Sequence, residues 1–574
     1  MTDQQYQNWL LSEYAHRVLL VELEYYDVVS TSTKTLYFSS LEYTTGSSYT
    51  DGSYVSGGGT PNNTWYRPAV IGGFDFAQSL DIFKGSFSFN WGSINIDNAE
   101  GVLDYLIRDG SNYHIFRNQI VRLYLGDSTW ERPDFRQIFF GIVDDISVYD
   151  ANTLTVRFKD RLQLFNQPIN VTATGAVRTL DELYKDRHSG TPMPSGNSRY
   201  QERDKPLPVC FGDCFNISPL NVDWVYADDT VSGNYFMIHD GQIAEVVAVR
   251  DNGITLPPAS YDVFLSEGVI RITAPAYGNI TCDVRGAEIY EANTFTVTGA
   301  TASISTATST YVYVSDLPNL LLNLLTNYGI IQNRLGVTDF DLATLYTYLV
   351  STAVSDGTGN ANLVEVCYYG SSSDNIINIV NTLSESLSTE LIITDDSKFS
   401  LLLIGLPEDG TATFTLDVSD IIDKEFKVKG IESPSVNNVT IGYARNFTPA
   451  NELAFMVPGP QKEILQREFN ELTGEPDTPV DTNYNLPDSP STPEGTSLIE
   501  LTRAAEEASR RANRLCRRSM LLSIGTTPVV WSLKLGDCIY LAYPRYDFDA
   551  GVKAIVIGKY QNVTKGTFTL DLLV

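Results

Sequence analysis

FFGIVDDISVYDANTLTVRFKDRL, residues 139–162, sets Ile146 and Val148 on one side of Asp150–Asn152 and Leu154, Val156 and Phe158 on the other, each at alternate positions. Successive side chains of a strand point to opposite faces, so this spacing predicts a β-hairpin with one face over a core. RVLLVELEYY (17–26), TLYFSS (35–40) and FSFNWGSINI (87–96) carry the same β-branched and aromatic texture upstream. Between them TTGSSYTDGSYVSGGG (44–59) reads as an exposed loop.

The same reading extends along the chain. Residues 163–204 lose periodicity, gather charge and end in SGTPMPSGNSRYQERDKP, which places a boundary there and makes 1–204 an N-terminal β domain. Residues 205–300 read as a small β insertion domain. Asp251-Asn252-Gly253 is a turn signal, because Asn-Gly tolerates positive φ, and 261–286 is a further hairpin set. From 301 to 430 the texture is mixed α/β. SDLPNLLLNLLTNYG (315–329) has a Ser/Asp start, Pro318 in its first turn and Gly329 at its stop, and DNIINIVNTLSESLS (374–388) is a second helix before the hairpin ELIITDDSKFSLLLI (390–404).

Residues 431–574 form a C-terminal β domain in which seven prolines make 456–497 mostly loop. An Arg-rich helix (498–518) follows, with a Ser497/Glu500 capping box and Leu501, Ala504, Ala505, Ala508, Ala512 and Leu515 at spacings of three and four. The chain closes on LKLGDCIYLAYPRYDFDAGVKAIVIGKY (533–560), read as two strands around an aromatic, charged loop. The fold class is mainly β with α+β parts, in several domains.

A chain of 574 residues has room for about three to five domains. Seventy acidic against forty basic side chains leave a net charge of −30, which opposes binding to nucleic acid or an anionic membrane. Six cysteines spread over this length do not make a disulfide scaffold and read as reduced thiols. The N-terminus breaks its apolar run with Glu13, His16 and Arg17 and offers no small-residue cleavage site, and no window reaches the roughly 18 apolar residues of a membrane span. The expectation is a soluble protein made in the cytoplasm.

Catalytic signals are poor. His16, His114, His188 and His239 stand singly, and Cys210, Cys214 and His188 lack a fourth ligand for zinc. DTNYNL (481–486) starts like a calcium loop but has Leu486 where glycine is needed and Thr492 where glutamate is needed. GTGNAN (357–362) has too few glycines to cradle a phosphate. Asp144/Asp145 and Asp395/Asp396 are adjacent acids at turns, a solvated arrangement more often than the paired acids of a glycosidase. The helix arginines, Arg510 and Arg514 among them, are expected to pair with acidic neighbours in the same or an adjoining subunit. No catalytic, cofactor or metal residue is assigned.

Taken in order, SINIDNAEGVLDYLI (93–107), the 139–162 hairpin, KPLPVCFGDCFNISPLNVD (205–223), IHDGQIAEVVAVRDNGITL (238–256), VTIGYARNFTP (439–449) and the 533–560 stretch resemble the hub, or tail-tip, proteins of tailed bacteriophages, a family that includes baseplate hubs. The resemblance implies a non-enzymatic virion part in which tube-like β domains from the two ends of the chain lie side by side. Three subunits would then match the sixfold tail tube as a closed ring around the DNA channel. It also implies partners: a distal tail or tail tube protein, the tape-measure protein, and fibre or spike proteins. Genome DNA would pass without specific binding, because an acidic lumen repels phosphate. Tyr543, Arg545, Tyr546 and Asp547 of the terminal loop, with Arg510 and Arg514, are the candidate interface residues, being types enriched at interfaces or able to form salt links there. A tail adhesin and a cell-wall glycosidase are the alternatives to a hub.

Overall fold

The hairpin forms as its spacing predicts: strands Arg136–Asp150 and Thr153–Lys159 pair antiparallel, with Asp150 opposite Thr153 and Ile146 opposite Val156. Leu154, Val156 and Phe158 are buried, and Ile146 packs against the same core. Val148 departs from the expectation and is 53% exposed. The neighbouring strand Ile120–Asp127 pairs only as far as Ile142, and two register shifts follow, so the hairpin tip outruns its cover.

The computed structural model describes residues 2–574 apart from 13–14, 47–62, 73, 82–85, 91, 109, 111–112, 151, 197–199, 227–233, 274, 276–277, 299–300, 331–333, 353, 356–360, 363–364, 387, 395–396, 404, 433–437, 444–446, 449–461, 468–477, 482–509, 514–518 and 563–565. The fold is mainly β, with several sheets and more than one core. A nine-stranded sheet takes in the 139–162 hairpin and has strand Arg17–Asp27 in its interior. That strand buries both faces. Leu19, Val21, Leu23 and Tyr25 join one core, while Val18 and Leu20 join another with Tyr43, Tyr66, Tyr124 and Phe135. FSFNWGSINI divides into two strands, Ser86–Asn90 and Ser93–Asp97, which belong to different sheets.

Between positions 205 and 300, strands Asp213–Ile217, Ile280–Tyr290, Ile243–Asp251 and Ile254–Thr255 make one sheet. Its tightest turn is the expected one, with Asn252 and Gly253 both at positive φ (51° and 79°) between Asp251 and Ile254. A four-stranded sheet lies beside it in sequence. Helix Leu317–Thr326 starts where Asp316 accepts the Asn319 N–H at 3.1 Å, and its leucines join helix Ile376–Glu385 and strands Thr389–Ile393 and Phe399–Leu403 in one core.

The last sheet is barrel-like and nearly closed: Phe414–Leu416, Cys538–Leu541, Val552–Asn562, Thr567–Leu573, Ser519–Thr526 and Ile421–Glu432 follow in that order. Strand Asp75–Asp81 from the other end of the chain also pairs with Val552–Asn562, Gly558 facing Ser79 and Asn562 facing Asp75. Within the Pro-rich tract, expected to be mostly loop, two segments are strands. Lys462–Arg467 and Thr478–Asp481 flank Asn438–Tyr443. Pro479 is tolerated because its strand lies at the edge of this small sheet. The rest of the tract, the 44–59 loop beyond Gly46, and the Arg-rich helix apart from helical residues 510–513 lie outside the described residues.

Candidate subunit interface

The terminal hairpin, strands Cys538–Leu541 and Val552–Asn562, carries four of the six candidate interface residues on its connecting loop. The loop does not hang free. Tyr543 stacks on Phe426 with ring centroids 3.9 Å apart and planes 5° apart, and Phe548 is buried in the barrel core. The Tyr543 N–H donates to the Phe548 carbonyl at 3.1 Å, and the Phe548 N–H donates to the Arg545 carbonyl at 3.2 Å. Tyr546 and Asp547 sit between these bonds at φ 63° and 61°. Arg545, Tyr546 and Asp547 face solvent, and the Arg545 guanidinium lies 5.2 Å from the Tyr546 ring centroid.

Tyr543 is therefore committed inside its own chain, whereas the Tyr546 ring lies farther from Phe426, at 6.0 Å, and stays 45% exposed. On the Arg-rich segment, buried Arg511 donates to the Glu385 carbonyl oxygen, which ties 510–513 to the end of helix Ile376–Glu385. Arg510 is half-buried beside it, and Arg514 lies outside the described residues.

Phe426 belongs to strand Ile421–Glu432, which the sequence reading did not single out. Its signal is present in EFKVK, where Phe426 and Val428 pack against the barrel core while Glu425, Lys427 and Lys429 face solvent. Lys429 is anchored, donating to Asp571 Oδ2 at 2.6 Å. Among the described residues this strand pairs on one side only, with Ser519–Thr526. An unpaired strand edge presents a row of backbone donors and acceptors to another chain.

The opposite end of the same run is also open. Strand Ser86–Asn90 pairs with Asp75–Asp81 and, among the described residues, with no other strand. From one open edge to the other the order is Ser86–Asn90, Asp75–Asp81, Val552–Asn562, Thr567–Leu573, Ser519–Thr526 and Ile421–Glu432. Each adjacent pair is antiparallel.

The residues weighed for chemistry lie apart from this surface. His239 is buried, and burial pushes its pKa down to about 4, leaving a neutral ring whose Nδ1 accepts the Cys210 N–H at 3.1 Å. Cys210 and Cys214 are buried in one core, and burial raises the Cys214 thiol well above its ordinary value. His188 instead stacks on Tyr184 at 4.0 Å. His114 lies 3.4 Å from Asp27, and His16 is exposed. Asp144 pairs with Lys159, while Asp395 and Asp396 lie outside the described residues. No group of three His, Cys, Asp or Glu side chains among the described residues is placed to hold a metal ion. No described helix is long and apolar enough to cross a membrane.

No protein-family model matches the chain, and no curated protein does. Among solved structures, a chain of the virion of a native gene transfer agent particle aligns at 11% identity over 69% of this chain and 91% of its own, with a TM-score of 0.39. The 43 kDa tail protein of prophage MuSo2 from Shewanella oneidensis aligns at 8% identity over 89% of this chain and 95% of its own, with a TM-score of 0.33. Prophage tail protein gp18 from Listeria monocytogenes EGD-e aligns at 7% identity over 97% of this chain and 94% of its own, with a TM-score of 0.35. These likenesses are remote.

Proposed function

We propose that this chain is a structural component of a bacteriophage tail, acting at its hub or tip as a trimeric ring around the DNA channel. The observation that carries the reading is the shared sheet: strands Asp75–Asp81 and Ser86–Asn90 and the C-terminal strands form one antiparallel run whose two end strands, among the described residues, each pair on one side only. Ser86–Asn90 and Ile421–Glu432 are the first and last of six alternating strands, so they run in opposite senses. Laid beside the next copy, Ile421–Glu432 would meet Ser86–Asn90 antiparallel without breaking the alternation. The two edges differ, which makes the contact head-to-tail, and a head-to-tail contact closes into a ring when its rotation allows.

In this reading the ring receives the distal tail or tail tube protein on one side, surrounds the end of the tape-measure protein, and carries fibre or spike proteins on the other. The charge of −30 suits a channel that DNA must slide through, because acidic walls offer phosphates no counterion-releasing contacts. The test is the mass of the purified chain by light scattering, with negative-stain images of the same peak. Three chains of 63.6 kDa give about 191 kDa, and the expected particle has a central hole. A chain that stays monomeric at every concentration overturns the ring.

A further inference from the structure

We propose that the 543–548 turn is a docking finger for a second copy of this chain, and that Tyr546 is the side chain that seats on it. The inference rests on the ring reading above and names the contact that holds neighbouring copies in register.

The turn is built to present Tyr546 rather than to spare the backbone. Two consecutive residues with Cβ atoms, Tyr546 and Asp547, hold left-handed conformations that Asn-Gly would adopt with less strain. The conformation persists because both ends are fixed: Tyr543 by its stack on Phe426, Phe548 by burial in the barrel core. Between them Tyr546 is 45% exposed, and its ring centroid stands 6.0 Å from that of Phe426, on the open strand Ile421–Glu432. A large, half-exposed ring with two side-chain torsions on a fixed turn loses little entropy on docking, and tyrosine and arginine are the residues that dominate such contacts.

Local charge favours a second copy as the occupant. Each copy carries −30, so two copies repel except where the charge cancels locally. Here it nearly does. Lys427 and Arg545 stand among Glu425, Asp547 and Asp549, all exposed around the finger and its strand, while Lys429 is neutralised by Asp571. The strand polarity adds a geometric reason, since the edge beside the finger matches the open edge that a second copy presents.

The experiment compares wild type, Tyr546→Ala and Arg545→Glu as full-length chains by sedimentation velocity over a concentration series, with thermal melting of each. The expected result is a wild-type trimer whose dissociation constant rises about tenfold or more in Tyr546→Ala, with the melting temperature unchanged. Where Tyr546→Ala fails to fold, Arg545→Glu decides, because its side chain is exposed and its loss of assembly cannot come from a lost core contact. A deciding variant that assembles like wild type overturns the finger and leaves the ring standing. A wild type monomeric at every concentration overturns both.

Discussion

The Arg132 guanidinium donates to Glu22 Oε1 at 2.9 Å, and the two residues are 3% and 2% exposed. The Tyr66 hydroxyl donates to the same oxygen at 2.6 Å, and the Arg132 guanidinium carbon lies 3.5 Å from the Tyr124 ring centroid. Burial opposes the arginine's charge, but Glu22, Tyr66 and Tyr124 outweigh it and hold the guanidinium protonated. Glu22 lies in an interior strand of the nine-stranded sheet and Arg132 between two of its strands, so the pair pins that connection to the sheet.

Removing one member strands the other without solvent. Glu22→Met and Arg132→Met are each expected to destabilise the chain by about 3–5 kcal/mol, and the double variant by less than the sum of the two, since a buried pair replaced by apolar groups is close to neutral. Urea denaturation of the four proteins checks this. Additive losses would show that the two groups do not depend on each other.

Asp160 predicts a pH dependence of unusual sign. It caps the short helix Arg161–Phe165, accepting the Gln163 N–H at 2.9 Å, and burial raises its pKa from 3.8 to about 6 against the pull of its backbone hydrogen bonds and Lys159. Between these two values the folded chain holds a proton that the unfolded chain has released. This group's contribution therefore falls as pH rises through the window. Asp160→Asn keeps the accepting oxygen and removes the charge, so it should be more stable than wild type by about 1–3 kcal/mol near pH 8 and equal to it near pH 4. Denaturation at the two pH values tests the convergence.

Gly212 marks a close approach of two backbones. Its φ is +66°, and a Cβ built there would lie 2.0 Å from the Val366 carbonyl oxygen. That oxygen cannot rotate aside as a side chain would. Gly212→Ala is expected to cost well above the roughly 1 kcal/mol of an unfavourable φ alone, and to separate strand Pro208–Phe211 from Tyr368–Ser371 beside it. Hydrogen exchange of those two strands, read against the helix Leu317–Thr326, shows whether the loss is local.

What the sequence made legible follows the range of the interactions. The alternation of Leu154, Val156 and Phe158, the Asn252-Gly253 turn and the Asp316 cap are set within a few residues, and each appears where its spacing places it. The pairing of Asp75–Asp81 with Val552–Asn562 leaves no trace in either segment's spacing, because a strand shows which of its faces is buried and not which chain segment lies alongside. The same limit explains the terminal loop. Its composition marked Tyr543 and Tyr546 alike, yet Phe426, far away in sequence, takes up one ring and leaves the other half exposed.

Ionic strength separates the two electrostatic effects on assembly. Exposed ion pairs at a rim contribute about 1 kcal/mol or less each and weaken with salt, whereas repulsion between copies of charge −30 acts over the whole subunit and is relieved by salt. The Debye length is about 30 Å at 0.01 M and about 8 Å at 0.15 M, so the repulsion spans a subunit in the first case and not in the second. The long-range term should win. Self-association is expected to strengthen as salt rises from about 0.01 to about 0.15 M, read as a falling dissociation constant in sedimentation equilibrium. Assembly that weakens over this range would mean that ion pairs such as those open to Lys427 and Arg545, rather than the relief of long-range repulsion, govern the contact between copies.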